Sequence, residues 1–543
     1  MKVNLALIGN RPNSINWQLG DIYYVDALSE AIQDLLDKHL HEAEAWLFWG
    51  SDFSLPKKEY ILTLLEQGAD VWHAGLKLGT GGLPDFLDFV APAWMLNCDP
   101  DSKIEATSWR ISLRCCLVRT EALHQMGGPL PGFSTLDAAA LELGYRYICR
   151  GVFVRHAPDL LPTTIPVRQI VIPLEDQLRF LLLSVGKTWT SWACFRAVLS
   201  RTARPFQLFR AWLRVRQVRP AGQRVVYQRM AKFVSSRLAD ASVSVIIPTI
   251  NRYPYLCTLL KQIRQQTVMP LEILVIDQTS VDKQDNQLAQ EFMDLPIRWF
   301  RLEQDGQCSA RNLGLISAKG EYILFIDDDD EIPANLIQMH LKNLDYHCIR
   351  VSNGVAYEVG IDGLPENFKF LRISDVFPTN NTLVHRDVFS ASGLFDLAYN
   401  HGEHEDGDLG MRIYLSGETM ILNPAISVIH HHAPIGGLRQ HNARIHTYAA
   451  SRKSIFLRVL PTVSDLYLVR RYFSHRQVHE MLWIAVLGTF SIRGPIWRKV
   501  AKFVISLLAV PYTVLQLRQR QIEVERMMLR FPQIPVMPEF PNQ

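Results

Sequence analysis

The segment YILFIDDDDEIP, Tyr322 to Pro333, runs five apolar or aromatic residues straight into four consecutive aspartates. A continuous apolar run of this length is the pattern of a strand buried on both faces, the kind found in parallel sheets. Two carboxylates about 4 Å apart repel by roughly 1 kcal/mol in water, and by about 4 kcal/mol at an effective dielectric of 20. Carboxylates crowded at the end of a buried strand therefore need solvent, protons or a cation. On the residues alone, a solvated acidic turn and an oxygen-rich site for Mg²⁺ or Mn²⁺ are both open.

The flanking sequence supplies the fold. VSVIIP (Val243 to Pro248) and LEILVI (Leu271 to Ile276) are further continuous apolar strands, and Ile297 to Leu302 predicts a short one. Between them, Tyr255 to Gln266, Asp285 to Phe292 and Ser309 to Ala318 predict helices, the last closed by Gly320 at a C-cap. Strands alternating with helices make a doubly wound α/β sheet. Ligands of such sheets sit beyond the carboxyl ends of the strands. Pro248, Thr249, Asp277 and Asp327 to Asp330 all fall at such ends, so the acidic cluster belongs to a site.

A chain of 543 residues is long enough for roughly three units. From Gln177 to Ala239 there are 13 Lys or Arg and no Asp or Glu, interleaved with Trp189, Trp192, Phe195, Phe206, Phe209 and Trp212. This basic, aromatic, helical-period stretch suits an anionic membrane surface, and equally a basic helical linker packed on its neighbours. It accompanies no recognisable nucleic-acid-binding module. Phe503 to Leu515, broken by Pro511 and flanked by Lys502 and Arg518, predicts a helix lying on a surface. No run of about 20 uninterrupted apolar residues predicts a spanning helix. The N-terminal apolar run is too short for a secretory signal. Beyond Lys453 the chain is helical and basic (Arg452, Lys453, Arg458, Arg470, Arg471), then ends in the Pro-rich FPQIPVMPEFPNQ. The eight cysteines show no CxxC spacing, which fits a reducing compartment.

The first 160 residues echo the acidic domain. AWLFWGSDFSLP (45–56) mirrors YILFIDDDDEIP, LRCCLVRTEAL (113–123) mirrors NNTLVHRDVF (380–389), and VRHAP (154–158) mirrors HHHAP (430–434). Gly50 stands where the second copy has Asp327, and Asp52 alone answers Asp329. The Glu-Asp pair described below has no counterpart in the first copy. The short stretch before the echo leaves no comfortable room for two base-side strands, so the first copy is expected to be degenerate and non-catalytic. The resulting organisation is a degenerate α/β domain at 1–165, a basic amphipathic helical linker at 166–240, a catalytic domain at 241–450, and a helical membrane-surface segment with a Pro-rich tail at 451–543.

VSVIIPTINR, LEILVIDQTS, GQCSARNLGLISAKGEYILFIDDDDEIP and GEHEDGDLGMR, in that order, resemble the nucleotide-sugar half of an inverting glycosyltransferase of family 2, which has the GT-A fold. The resemblance implies that Pro248, Thr249, Asn251 and Asp277 hold the nucleotide base. Gln278 stands where the family has a second acid. Asp327 would contact the ribose side and Asp329 the divalent metal (Mn²⁺ or Mg²⁺) on the diphosphate. Arg311 and Asn312 match the family's Ala-Arg-Asn helix beside the nucleotide. Glu405 and Asp406 match the acid pair, with Asp406 the base, and Arg412 closes that motif on the substrate side. Among His430, His431 and His432, alternation puts His430 and His432 on one face, and the resemblance implies that a histidine here, His432 being favoured, would complete the metal or diphosphate site. Gly436, Gly437 and Arg439 would bring backbone N–H groups and a guanidinium toward phosphate.

These residue types suit glycosyl transfer on independent grounds. An acceptor hydroxyl attacks as a positioned carboxylate takes its proton. Charge on the leaving nucleoside diphosphate needs a cation. The expected function is metal-assisted, inverting transfer from a nucleotide sugar to a glycan or lipid-linked hydroxyl, in surface or extracellular polysaccharide synthesis at the cytoplasmic face of a membrane. The alternatives are a silent glycan- or nucleotide-sugar-binding scaffold, and metal-dependent phosphoryl or nucleotidyl transfer. Glu405 and Asp406 are by themselves equally the acidic first turn of a helix running from about Asp408 to Ser416.

Overall fold

The computed structural model describes residues 1–11, 15–162, 169–219, 225–229, 241–285, 287–433 and 454–538. Gly436, Gly437, Arg439, Arg452 and Lys453 lie outside them, as do Pro434 and the end of the Pro-rich tail. Two sheets organise the chain. The first contains β1 (Val3–Ile8), β2 (Ile22–Val25), β3 (Ala45–Gly50), β4 (Val71–His73), β5 (Ala106–Thr107), β6 (Cys115–Arg119) and β7 (Val154–His156), in the order β2-β1-β3-β6-β4-β7-β5. The second contains β8 (Val243–Thr249), β9 (Glu272–Asp277), β10 (Ile297–Arg301), β11 (Tyr322–Phe325), β12 (Asp330–Glu331), β13 (Val351–Glu358), β14 (Arg372–Ile373), β15 (Thr382–His385) and β16 (Met420–His430). Its order is β10-β9-β8-β11-β15-β13-β16-β12, with β14 also pairing with β16.

The helices used below are α1 (Trp94–Asn97), α2 (Leu174–Ser184), α3 (Gly186–Leu199), α4 (Pro205–Val215), α5 (Tyr253–Ile263), α6 (Gln307–Ser317), α7 (Glu405–Leu415), α8 (Val463–Tyr472), α9 (His475–Gly488) and α10 (Ile496–Arg530).

β10, β9, β8 and β11 are all parallel, and β15 then pairs antiparallel with β11, giving the mixed α/β sheet that the apolar runs predict. Alternation along these strands feeds two cores. Val243, Val245, Ile247, Ile273 and Val275 pack with Leu256, Leu259, Leu260 and Ile263 of α5 on one face. Ile246, Leu274 and Ile276 pack with Cys308, Ala310 and Leu315 of α6 on the other. Three local expectations change. The predicted helix at 285–292 is only Leu288–Glu291. Gly320 is a close-approach glycine, not a left-handed cap: a Cβ there would sit 2.6 Å from the Ser244 backbone nitrogen. α7 begins at Glu405, earlier than expected.

The two sheets match strand for strand: β1, β2, β3, β4, β5, β6 and β7 take the places of β8, β9, β11, β13, β14, β15 and β16. Registers match as well. Ala45 faces Arg119 as Tyr322 faces His385, Val71 faces Val118 as Val351 faces Val384, and Thr107 faces Arg155 as Ile373 faces Ile421. Both base-side strands fit after all. Short connections accommodate β1 and β2, and the strands of the second sheet without a counterpart are β10 and β12. The registers also put Asp26, just beyond β2, where Asp277 ends β9. They align VRH (154–156) with the start of β16 and not with its histidines, because β16 continues for eight residues past that point.

The two domains meet edge to edge, and the contacts are reciprocal. A Cβ on Gly151, three residues before β7, would lie 2.7 Å from the Leu371 carbonyl oxygen. One on Gly417, three residues before β16, would lie 2.3 Å from the carbonyl oxygen of Glu105. Both glycines have positive φ, +93° and +92°. Paired contacts between equivalent positions are the mark of an isologous, two-fold-like interface.

The segment expected as a linker forms three helices that pack on the first sheet. Leu178, Leu181, Ala193, Ala197, Leu208 and Ala211 join that core, and Arg196 of α3 makes a buried two-point ion pair with Glu480 of α9. α10 is long and apolar enough to cross a membrane. Its buried positions include Lys502, Ser506 and Thr513, whereas Trp497, Phe503, Leu507, Leu508, Tyr512 and Leu515 are exposed.

Gly417→Ala should destabilise the protein by about 1–3 kcal/mol more than Gly360→Ala, because overpacking adds to the positive-φ strain the two share. Gly360 has φ +86° and nothing within 4 Å of its Cβ position, so denaturant unfolding of the two variants isolates the interdomain contact.

Candidate functional site

The acidic strand end is neutralised by the protein's own cations. Arg311, on α6, donates through one terminal nitrogen to Asp327 Oδ1 at 2.9 Å. Arg252, just after β8, reaches Asp328 Oδ1 at 3.1 Å and Asp329 Oδ1 at 3.2 Å. Thr249 Oγ1 donates to the other oxygen of Asp328. His430, at the end of β16, is 2.8 Å from Asp330 Oδ1. Side-chain exposure then separates the four: 25% for Asp327, 4% for Asp328, 1% for Asp329 and none for Asp330. Burial pushes Asp328 up to about 7 against the pull of Arg252. Burial alone would lower His430, but its bond to Asp330 and the surrounding carboxylates hold it up to about 9.

The loops after β8 and β9 are tied together by Asp277, whose two oxygens accept from the Tyr253 hydroxyl at 2.7 Å and the Thr279 backbone N–H at 2.9 Å. The Asn251 N–H donates to Thr279 Oγ1, and Asn251 itself sits at φ +58° with its amide oxygen buried and unpaired. Pro248, in β8, leads into this turn. Gln278 Oε1 accepts from the Gly306 N–H at 2.7 Å, so the amide anchors the loop before α6. These residues surround one rim.

Arg311 carries that rim to the second acidic motif. Its other terminal nitrogen is 3.5 Å from Glu405 Oε1, with the Arg311 side chain 5% exposed. Glu405 is buried, and burial with Asp406 beside it pushes it up to about 7 while Arg311 opposes the rise. Asp406 is partly exposed and accepts from the Gly407 N–H. α7 is entered through His404 at φ +80°, whose ring pairs with Asp465 of α8 at 2.7 Å.

Three expected site residues turn to other tasks. Asn312 spends both ends of its amide on the Phe395 backbone. Arg412 is committed to Asp408 and the Ser392 carbonyl, bracing α7 from within. His432, at φ +52°, pairs with Glu358, while the imidazole against the carboxylates is His430. The two rings do share a face, 4.5 Å apart. Arg252 escaped the sequence reading: its partners lie more than 70 positions away, and the only local signal is its place directly after Asn251.

A divalent cation fits these residues in part. Asp329 Oδ1 is enclosed and accepts no hydrogen bond, with Arg252 as an ion-pair neighbour at 3.2 Å, and its partner oxygen is held by the Ala433 N–H. Asp327 exposes its carboxylate beside it, and both are hard oxygen donors of the type Mg²⁺ and Mn²⁺ prefer. Among the described residues no group of three or more His, Cys, Asp or Glu is spaced to hold a metal ion. The protein therefore offers one or two ligands rather than a cage.

Known proteins match the same stretch. The family model for glycosyl transferase family 2 matches residues 244–383, from β8 into β15. Over residues 244–383 the chain is similar to family 2 glycosyltransferases. An uncharacterized glycosyltransferase of Rickettsia conorii is 38% identical over 116 residues, 21% of this chain and 19% of that one. The uncharacterized glycosyltransferase YwdF of Bacillus subtilis is 28% identical over 167 residues, 28% of this chain and 62% of that one. The chain thus spans between a fifth and three fifths of the length of these curated relatives. The crystal structure of Staphylococcus aureus TarS 1–349 aligns at 18% identity and a TM-score of 0.36, covering 51% of this chain and 91% of that one. The family match ends before Glu405, and the first domain lies outside it.

The His404–Asp465 pair fixes a pH dependence. Burial lowers His404, but Asp465 raises it above its ordinary 6.5, so its contribution is complete below pH 6.5 and is lost as pH climbs through the raised value. Asp465 is lowered from 3.8 by His404 against its burial, so its contribution holds above that value and is lost on further acidification. A double-mutant cycle of His404→Gln and Asp465→Asn should give a coupling of about 1 kcal/mol between about pH 4 and 6.5, shrinking toward pH 9.

Proposed function

We propose that the second domain transfers a sugar from a nucleotide-activated donor to a hydroxyl of a glycan or lipid-linked acceptor, by a single displacement with inversion. The observation that supports this reading is Arg311, which contacts Asp327 and Glu405 at once and so links the strand-end acids to the Glu-Asp pair. Asp277, Asn251 and Thr249 shape the base side of the rim, and Asp327 faces solvent where the ribose and diphosphate would lie. Asp406, partly exposed at the start of α7, takes the proton of the acceptor hydroxyl as it attacks. Glu405 stays buried against Arg311 and holds the helix start in place. Asp329, with Asp327, would hold Mn²⁺ or Mg²⁺, which supplies charge neutralisation to the leaving diphosphate.

Asp406→Asn should leave donor binding within about twofold of wild type and lower transfer by about 10²–10⁴-fold, the range of a lost general base. Donor titration calorimetry paired with product chromatography reads both quantities. Wild-type turnover in that variant would remove Asp406 as base. Loss of donor binding along with transfer would move it to the donor pocket. A scaffold without catalysis predicts binding and no product in the wild type.

The first domain is a non-catalytic companion of the second in this reading. It shares the sheet order but has Gly50 where Asp327 stands, and Asp52 is an exposed partner of Arg114. The chain also works against an anionic membrane, on its cytoplasmic face. α10 packs a partly polar stripe inward and turns its apolar residues out, the reverse of a water-soluble surface helix and the orientation that hydrocarbon favours. Phe195, Leu199, Phe206 and Phe209 on α3 and α4 add exposed apolar surface within the basic stretch. The eight cysteines are unpaired, which suits the reducing side. Replacing Phe503, Leu507 and Leu508 by serine should lower partitioning to anionic vesicles by about tenfold or more in sedimentation assays, because each buried methylene contributes about 0.8 kcal/mol. Unchanged partitioning would leave α10 as an ordinary packing helix.

A further inference from the structure

α7 is an unusual helix to carry a catalytic acid. Its sequence, EDGDLGMRIYL, has glycine at 407 and 410, although glycine is the least favourable helix-interior residue apart from proline. Neither glycine has positive φ, so no turn requires it. Residues three apart share a helix face, and this face is covered. A Cβ on Gly407 would lie 3.3 Å from Trp94 Cζ2, and one on Gly410 would lie 2.9 Å from Trp94 Cζ3. The indole occupies the space that two side chains of the helix would otherwise fill.

Trp94 belongs to the first domain, on α1. That short helix is held firmly by its own domain. Trp109 Nε1 donates to the Met95 carbonyl, Arg110 donates to the Leu96 carbonyl at 3.0 Å, and Asn97 donates to the Leu87 carbonyl at 3.0 Å. Arg110 is almost wholly buried and paired with Asp99. α1 also grips the far end of α7, where the Tyr414 hydroxyl donates to the Cys98 carbonyl at 3.1 Å. Trp94, Met95 and Cys98 pack against the core of the second domain. α7 is thus clipped to the first domain near Asp406 and again near its C-terminus.

We propose that Trp94 is a positioning residue for transfer: seated on Gly407 and Gly410, it sets where α7 lies and so aims the Asp406 carboxylate. The first domain then completes the active site without touching the reacting atoms. This rests on Asp406 being the base. The donor rim is built on β8, β9, β11 and α6, whereas the indole sits directly on α7, so the two halves of the site separate experimentally.

The test is a kinetic cycle on the full chain with Trp94→Ala, Trp94→Phe, Gly410→Leu and the double variant Trp94→Ala/Gly410→Leu, with Asp406→Asn as reference. Trp94→Ala should lower kcat by about 10²-fold, the cost of misplacing a catalytic group by about 1 Å. Donor Kd should stay within about twofold, which also certifies folding. Gly410→Leu alone should lower kcat by crowding the indole. The double variant should regain about tenfold over either single one, since the leucine fills the space the indole leaves. Trp94→Phe should keep most activity. Hydrogen exchange should quicken at 405–411 in Trp94→Ala while β8 and β11 stay protected. Unchanged kcat, a donor Kd that weakens in step with kcat, or a double variant no better than the singles would each overturn the proposal. Full transfer by Asp406→Asn would instead overturn the base assignment beneath it.

Discussion

Four carboxylates in a row at the end of a buried strand are tolerable only because three cations from distant parts of the chain meet them. Arg252 answers Asp328 and Asp329, Arg311 answers Asp327, and His430 answers Asp330. Each partner arrives on a different element, so neutralising the strand end also locks β8, α6, β11 and β16 into one rim. Breaking one pair would leave an uncompensated buried charge, which costs several kcal/mol. The cluster therefore organises the cleft as well as lining it. Asp327, the most exposed of the four, keeps a face toward solvent, while its link through Arg311 to Glu405 joins the strand-end acids to the Glu-Asp pair.

The same economy shapes the tandem. Two sheets of like order meet through matched glycines, so the β5 edge of the first lies against the β14–β16 side of the second. An open sheet edge invites pairing with foreign chains, and a companion of the same topology is a natural cover for it. The first domain shares the sheet order and has Asp26 at the place of Asp277, with Gly50 where the second has Asp327. What it contributes is rigidity at α7, which α1 holds through Trp94 and Cys98 while α8 of the C-terminal segment holds it through Asp465 and Tyr472.

Much of this was legible in the residues. The apolar runs at Val243, Leu271 and Tyr322 determine their own strands, because a strand buried on both faces needs no partner information to be recognised. The echo of AWLFWG and YILFID predicts the register of β3 and β11 for the same reason. What sequence hid was pairing across long separations. Nothing local distinguishes His430 from His432; the positive φ at His432 swings that ring to Glu358. Nothing local marks Asn312 as a brace, since its partner is Phe395, whereas the spacing of Arg412 four residues after Asp408 does signal a pair within α7. The first domain's two base-side strands were obscured because their connections are short, and Trp94 was invisible because its effect depends on two glycines in another domain.

The decisive measurement is the product formed when the purified chain meets a panel of nucleotide sugars with Mn²⁺ and a mixed glycan and lipid-linked acceptor pool. A cleft in which Asp327, Arg311 and Asp406 act together predicts a free nucleoside diphosphate, one per glycosidic bond formed, with the anomeric configuration inverted. Pyrophosphate release, retained configuration, or donor bound with no product formed would contradict it.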